Sequence, residues 1–368
     1  MRIFSPRHPI EQSGTLLFPV DLLAQLRDSK LPPIVVAELS GNHGGDLDKA
    51  IELIDRAAES GADAIKLQTY KPDTITVEGR DDRFLLKEGL WAGKYLSELY
   101  AEAMTPWEWH VPLAERSARH GLPLFSSPFD ESAVDFLEES LSPPLYKVAS
   151  FELNHFPMLR KIARTGKPVL ASVGVSTGEE IEQALQELRD HGCPEIVLLH
   201  CVSEYPAKPE DFHLHDMPRL GERHGTLYGL SDHSLGHAVA IAATVLGARV
   251  IEKHFALDRE EDSIDGAFSM LPLEFGEMTE AVRVAHASVE PSPIPAENTD
   301  SLVKGSFFKR SILVAETIAQ GETLTTENLR VARPGDGMCP SRWEQVLGQR
   351  ASRDLPVGHP LSEEDLAS

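Results

Sequence analysis

The chain predicts a closed (β/α)₈ barrel followed by a small C-terminal module. Three observations carry the prediction. Apolar runs of strand length alternate strictly with helix-length amphipathic segments between Ile34 and Ser288, the pattern of a parallel sheet with helical crossovers. The alternation runs through eight units, the number that closes a barrel. Polar side chains recur at the C-terminal end of each run, on the rim where such barrels do chemistry. A doubly wound open sheet is the alternative architecture.

Residues 1–32 are read as an extension expected to pack on the barrel, in which 14–20 could form a short strand. Strands are expected at 34–39, 64–69, 122–127, 145–149, 168–172, 196–200, 227–230 and 250–254. Helices begin near Leu47, Thr105, Asp130, Asn154, Thr177, Pro209, Ser234 and Pro272. A long insertion, 71–104, follows the second strand, and insertions of that length often become lids or rim loops. Thr105-Pro106-Trp107-Glu108 has capping-box spacing with proline in the first turn. The barrel is assigned to 33–288, a proline-rich linker to 289–305, and a module of short strands and turns to 306–368. With few large apolar residues, that module is expected to need a partner surface for stability.

Of 368 residues, 41% are hydrophobic and 25% charged, ample material for a large core. Neither an apolar run of membrane-spanning length nor an N-terminal signal-peptide h-region is present, so no membrane segment is expected. The three cysteines, Cys193, Cys201 and Cys339, lack metal-type spacing, which fits a reducing cytoplasmic compartment. A net charge of −23 disfavours nucleic acid and anionic membranes. It also repels an anionic metabolite unless basic groups gather locally.

The rim residues carry the chemistry. Gly229-Leu230-Ser231-Asp232-His233 and Ile251-Glu252-Lys253-His254-Phe255 end successive strands. They deliver two imidazoles to one rim, a natural divalent-metal site; hydrogen-bonded strand-end histidines are the competing reading. Lys66 and Lys147 sit inside otherwise apolar strands, where charges are rare unless paired or bound to an anion. Anion binding is one reading, and ion pairing with Glu38 and Glu252 is the other.

Other motifs compete. Gly174-Val175-Ser176-Thr177-Gly178 matches the hydrolase elbow, with Asp232 and His254 downstream in the order of a Ser-Asp-His triad. Ser176 and Glu179 also have the spacing of a capping box. A Schiff-base aldolase at Lys66 or Lys147 needs a depressed lysine pKa, which neighbouring carboxylates oppose. A binding module without chemistry suits only the C-terminal region. No P-loop, dinucleotide fingerprint or H-E-x-x-H occurs. Trp107 and Trp109 are expected to pack rather than to stack on a ligand.

From the first strand onward the chain resembles the sialic acid synthase family. The motifs that carry the resemblance are residues 37–43 (AELSGNH), 66–69 (KLQT), 126–130 (SSPFD), 146–152 (YKVASFE), 199–206 (LHCVSEYP), 229–233 (GLSDH) and 252–255 (EKHF). The tail resembles the antifreeze-like (SAF) domain of these synthases, and its residues 333–337 (RPGDG) match the substrate-contacting arginine loop. Within the family, residues 149–152 (ASFE), 264–269 (IDGAFS), 90–96 (LWAGKYL) and 105–110 (TPWEWH) look like the pseudaminic acid synthase branch. The resemblance implies condensation of phosphoenolpyruvate with a 2,4-diacetamido-2,4,6-trideoxyhexose of altrose type, giving pseudaminic acid and phosphate. N-acetylneuraminate or legionaminate synthesis from N-acetylmannosamine or a related sugar is the alternative. Residues 173–175 (VGV) depart from the usual Thr-Gly-Met.

By the same resemblance, His233 and His254 ligate Mn²⁺, with Mg²⁺ or Co²⁺ as substitutes, and Glu38 is catalytic alongside them. Lys66, Ser127, Lys147, Ser150, Ser172, Ser203 and Ser231 hold phosphoenolpyruvate. Gln68, Glu152, Tyr205, Glu252, Asp265, Phe307 and Arg333 orient the sugar. Phe307 and Arg333 come from the other subunit of a domain-swapped homodimer.

Overall fold

The structure, a computed structural model, describes residues 22–259, 263–289 and 307–367. The strand expected at 14–20, and the expected linker beyond its first residue, lie outside the described residues. The chain runs α1 (Leu22–Arg27), β1 (Ile34–Glu38), α2 (Leu47–Glu59) and β2 (Ala64–Thr69). The insertion then holds α3 (Pro72–Ile75) and α4 (Leu96–Ala103), before α5 (His110–Arg119). There follow β3 (Leu124–Pro128), α6 (Glu131–Ser140), β4 (Tyr146–Val148), α7 (Phe156–Arg164), β5 (Val169–Ser172) and α8 (Gly178–Asp190). The barrel ends with β6 (Ile196–Cys201), α9 (Asp216–His224), β7 (Leu227–Asp232), α10 (Ala238–Val245), β8 (Val250–His254) and α11 (Pro272–Val289). The strands lie side by side in chain order, all parallel, and β1 pairs with both β2 and β8 to close the barrel.

Several helices start later than the sequence suggests, each for a local reason. Residues Pro209–Phe212 make a 3₁₀ turn that ends at His213 in the left-handed region (φ 43°). At the next site, Ser234 donates to Asp232 Oδ1 through its amide (2.8 Å) and hydroxyl (2.7 Å). That turn delays α10 until Ala238. Thr105 caps no helix; its hydroxyl is buried 3.2 Å from His43 Nε2, and a 3₁₀ turn over Trp107–Trp109 precedes α5. The capping box of α8 is one residue later than the Ser176–Glu179 pair. Thr177 and Glu180 form it, with Thr177 N donating to Glu180 Oε2 (2.7 Å).

The two-residue period of a strand sorts the barrel interior into layers. At the foot, Ile34, Val36, Ala64, Phe125, Leu145, Leu170, Val197, Leu199 and Val250 form one apolar cluster. Leu22 and Leu26 of α1 close it from below. Arg249 ties that helix down by donating to the carbonyls of Gln25, Leu26, Asp28 and Leu31. The described part of the extension therefore packs on the barrel, as the sequence suggests. Two residues further along the same strands, the inward positions become Glu38, Lys66, Ser127, Lys147, Ser172, Cys201 and Glu252. The alternate residues Val35, Ala37, Ile65, Leu67 and Ile251 face the helices in a second cluster.

One outward pair is charged. Asp232 and Lys253 are register partners across β7 and β8, and Lys253 Nζ donates to Asp232 Oδ2 (2.9 Å). Both side chains are fully buried. Each immediately precedes a rim histidine, so the pair pins the two strand ends that carry His233 and His254.

The second unit begins at Pro291. Its β9 (Ser311–Val314) and β10 (Leu329–Ala332) pair antiparallel, and α12 (Trp343–Val346) follows. Ile312, Val314, Ile318, Leu324, Leu329, Val346, Ala351, Leu355 and Leu361 form a core of its own. Tight turns between short strands bury these side chains within the unit. Among the described residues no helix is long and apolar enough to cross a membrane.

Removing one member of the buried pair strands the other charge. Asp232→Ala should destabilise the barrel by about 3–5 kcal/mol, read as a lowered thermal midpoint. The double replacement Asp232→Asn with Lys253→Met should cost less than Asp232→Ala alone; equal losses would show that the pair is not coupled.

Candidate active site

The C-terminal mouth of the barrel opens into a cavity of about 630 Å³. Its floor is made by inward residues one layer above the apolar foot. Lys66 Nζ lies 2.9 Å from Glu38 Oε2 and 2.9 Å from Glu252 Oε1. Lys147 Nζ is 3.5 Å from Glu252 Oε1, which also accepts from Ser231 Oγ (3.1 Å). In this structure, then, the two strand lysines are ion-paired with the glutamates, as the second reading of the sequence holds. Burial disfavours the Lys66 ammonium, but Glu252 and Glu38 together raise its pKa. Burial lowers that of Lys147, outweighing Glu252. The expectation that nearby carboxylates oppose a depressed lysine pKa thus holds for Lys66, whereas for Lys147 burial outweighs them. Burial raises the Glu38 carboxyl, while Lys66 opposes the rise.

The next layer holds the histidines. His233 and His254 both line the cavity, with ring centroids 5.3 Å apart. His233 Nδ1 lies 2.9 Å from the Val202 carbonyl. A carbonyl only accepts, so the proton is on Nδ1 and Nε2 keeps its lone pair. Burial pushes His233 down to about 4 and His254 well below its ordinary value, so both rings are neutral at pH 7. His254 Nδ1 is 3.5 Å from Asp265 Oδ2, makes no hydrogen bond and is buried. Two neutral imidazoles, one with its free nitrogen fixed by a backbone carbonyl, suit a divalent cation. Among the described residues no cluster of three or more His, Cys, Asp or Glu completes a metal site.

Most expected site residues converge here. Lys66, Gln68, Lys147, Ser150, Glu152, Ser172, Ser203, Tyr205, Ser231, His233, Glu252, His254 and Asp265 all line the cavity. Ser150 and Ser203 share a hydrogen bond (2.8 Å), whereas Ser172 Oγ is buried without a partner. Two expected residues stop short. Glu38 lies beneath the floor, reaching it through Lys66 and through Gln68 Nε2, which donates to Glu38 Oε1 (2.9 Å). Ser127, beside Gln68 in register, is fully buried and does not line the cavity. Both are fully buried, although they stand in register with lining residues, Glu38 with His254 and Ser127 with Gln68. Phe307 and Arg333 belong to the second unit, where Phe307 is 65% exposed.

The structure adds residues that the sequence reading left without a role. Ser40, in the left-handed region (φ 46°), donates to Asp265 Oδ2 and accepts from Gln68 Nε2. Asn42 donates to the Phe255 carbonyl and accepts from the Asp265 amide, fixing the loop that carries Asp265. Both follow Glu38 in the 37–43 motif, which was the available signal. Phe268 packs edge-on to His254 with centroids 4.9 Å apart. Gly174 lets the loop after β5 pass close to β6, because a Cβ there would meet Ser203 Oγ at 2.5 Å. The tryptophans pack as expected: Trp107 stacks on Phe136 and Trp109 meets His43 edge-on. The hydrolase reading fails. Ser176 lies outside the cavity lining, and Asp232 is committed to Lys253 and Ser234.

Comparison with known proteins places this arrangement. Residues 53–291 match the NeuB family and residues 309–367 the SAF domain. The chain belongs to the NeuB family. A pseudaminic acid synthase from Helicobacter pylori is 43% identical over 335 residues, covering 91% of this chain and 98% of the relative. An N,N'-diacetyllegionaminic acid synthase from Legionella pneumophila is 32% identical, covering 91% and 95%. Among solved structures, the N-acetylneuraminic acid synthetase of Leptospira borgpetersenii, crystallised with citrate, superposes with a TM-score of 0.66. It is 29% identical and covers 75% of this chain and 90% of its own. The (β/α)₈ barrel followed by a SAF domain is thus the architecture of this NeuB-family chain.

Glu152 gives the site a pH signature. Burial raises its carboxyl from 4.5 to about 7, against Lys147 and Lys66. The folded chain therefore keeps a proton that the unfolded chain releases between those values, and stability falls as pH rises through that window. Glu152→Gln should remove this loss: its stability relative to the parent should grow between pH 4.5 and 7 and stay constant above. A constant difference across the window would show that Glu152 titrates normally.

Proposed function

We propose that this chain condenses phosphoenolpyruvate with the open-chain aldehyde of a 2,4-diacetamido-2,4,6-trideoxyhexose of altrose type, giving pseudaminic acid and phosphate. The observation that carries the reading is the convergence in one cavity of two lysines, two neutral imidazoles and a row of serine hydroxyls. The pseudaminic acid synthase relative at 43% identity supports the choice of sugar over the legionaminic and neuraminic alternatives.

Lys66, Lys147 and the hydroxyls of Ser150, Ser172, Ser203 and Ser231 hold the phosphate and carboxylate of phosphoenolpyruvate by charge-assisted hydrogen bonds. Ser127 supports that set from beneath. His233 and His254 would hold a divalent cation (Mn²⁺, with Mg²⁺ or Co²⁺ as substitutes), which would supply Lewis acidity for the aldehyde. Gln68, Glu152, Tyr205, Glu252 and Asp265 orient the sugar so that carbon 3 of the enol faces the aldehyde carbon. The new C–C bond leaves positive charge on carbon 2. A bound anion competes for Lys66, which releases Glu38 to stabilise that charge or to take the proton of the water that attacks it. The hemiketal then loses phosphate by C–O cleavage. The chain works as a homodimer in which one subunit's second unit brings Phe307 and Arg333 to the partner's barrel, in the cytoplasm.

Phosphoenolpyruvate labelled with ¹⁸O in its bridging position should yield labelled phosphate and unlabelled sugar acid. Label retained in the sugar product would contradict C–O cleavage, while a lysine adduct trapped by borohydride with pyruvate would support the Schiff-base aldolase instead. Exhaustive chelation should abolish turnover and Mn²⁺ should restore it, while His233→Gln should weaken Mn²⁺ binding measured by titration without substrate. Full activity in metal-free enzyme would remove the metal from the mechanism.

A further inference from the structure

The cavity is divided by chemistry, and the division follows the chain. The strand ends and their loops supply nearly all its charged and hydroxyl groups. The insertion supplies another wall, and that wall is mostly apolar: Ile75, Leu86, Leu90, Trp91, Leu96 and Leu99 line it, with the Tyr100 hydroxyl and the Glu88 carboxylate its polar side-chain groups besides the Trp91 indole N–H. Leu90 is 47% exposed, and Phe151, which joins the wall from the loop after β4, is 57% exposed. Folding has not removed these side chains from water, so their burial is left to whatever enters the cavity.

The wall is preformed. Leu85 and Tyr95 bridge antiparallel, and Leu86 N donates to the Lys94 carbonyl (2.9 Å), folding 85–95 as a small hairpin. Trp91 Nε1 donates to the Ile264 carbonyl (3.2 Å), which occupies its only polar atom. The Trp91 ring lies 5.8 Å from Tyr205, and Tyr205 lies 4.5 Å from His233. The wall is thereby registered against the histidines. At its far end Gly41 admits α4, because a Cβ there would meet the Ala103 backbone at 2.9 Å.

We infer that the insertion is the specificity element of the reaction proposed above, on which this reading rests: Leu86, Leu90, Trp91, Leu99 and Phe151 receive the deoxygenated, N-acylated end of the sugar. The argument is one of partners. With the aldehyde at the histidines, the distal end of a six-carbon sugar points across the cavity to the insertion. A C6 hydroxyl placed there loses water and finds few partners, since Trp91 Nε1 is already bonded and Glu88 sits at the exposed edge, which leaves the Tyr100 hydroxyl as the wall's remaining side-chain group. A C6 methyl or an acetamido methyl loses nothing and is buried. The wall therefore favours sugars in which hydroxyls have been replaced by methyl and acylamino groups.

The test compares kcat/KM for the 6-deoxy diacetamido sugar with that for its 6-hydroxy counterpart, at saturating phosphoenolpyruvate and Mn²⁺. The parent should prefer the deoxy sugar by about tenfold to a hundredfold, the range open to an apolar pocket facing one added hydroxyl. Leu90→Asn and Phe151→Ser change exposed positions and should fold as the parent does, which a thermal midpoint checks. Each should lower the preference by about tenfold, through a raised KM for the deoxy sugar, with the KM for phosphoenolpyruvate unchanged. Equal kcat/KM for the two sugars in the parent, or an unchanged ratio in both variants, would overturn the assignment. So would an unchanged ratio accompanied by weakened self-association in sedimentation, which would make the patch a subunit contact. If the parent makes no product from phosphoenolpyruvate and either sugar, the reaction itself falls and the specificity reading falls with it.

Discussion

A single ammonium group holds the barrel mouth together. Lys66 stands between Glu38 and Glu252, 2.9 Å from each, where all three side chains are buried. None of these charges could stay inside the barrel alone, because the desolvation cost of an unpaired ion exceeds what packing returns. The register makes the pairing available: Glu38 faces Lys66 across β1 and β2 and His254 across β1 and β8. A shift of one residue in any of these strands would turn the charged positions outward and the apolar ones inward. The same parity that buries Val36 and Val250 at the foot therefore dictates which residues meet at the rim.

The floor is charged but close to neutral overall. Lys66 and Lys147 contribute two positive charges, and Glu38 and Glu252 two negative ones, so the sum is zero when all four are ionised. Two lysines alone do not make a cationic basin in a chain of net charge −23. Protonation of Glu38, which burial favours, leaves the floor one unit positive. A divalent cation at the imidazoles would add two more. Attraction of a multiply charged anion thus depends on the ionisation of Glu38 and on the proposed cation more than on the count of lysines.

Much of this was legible in the sequence because strand periodicity carries two messages at once. It marks the element, and it marks which residues point inward, so Lys66, Lys147, His233 and His254 could be placed on one rim before any coordinates. Depth was not legible. Glu38 and Ser127 stand in register with His254 and Gln68, which line the cavity, yet both are themselves fully buried and do not. Pairing was not legible either: Lys147 follows the burial rule and Lys66 the carboxylate rule, although both occupy apolar strands. The displaced helix starts came from side chains that bind the backbone nearby, as Ser234 does with Asp232. The insertion was legible as a rim element but its wall was not, because Trp91 is placed by contacts with Ile264 and Tyr205, far away in sequence.

Unsatisfied groups mark where stability has been given up for function. Native interiors leave few polar atoms without partners, yet Ser172 Oγ, Glu152 Oε2, Glu252 Oε2 and His254 Nδ1 are all orphaned around one cavity. On the opposite wall the same logic is inverted, with Leu90 and Phe151 left in water. A site that strands polar atoms on one side and apolar ones on the other is complementary to an amphipathic ligand. It satisfies both only when the anionic, carbonyl-bearing end lies on the floor and the reduced end lies against the insertion. In the proposed reaction that orientation puts the reacting carbons beside the histidines, so the distribution of unmet interactions supports the direction proposed for the sugar.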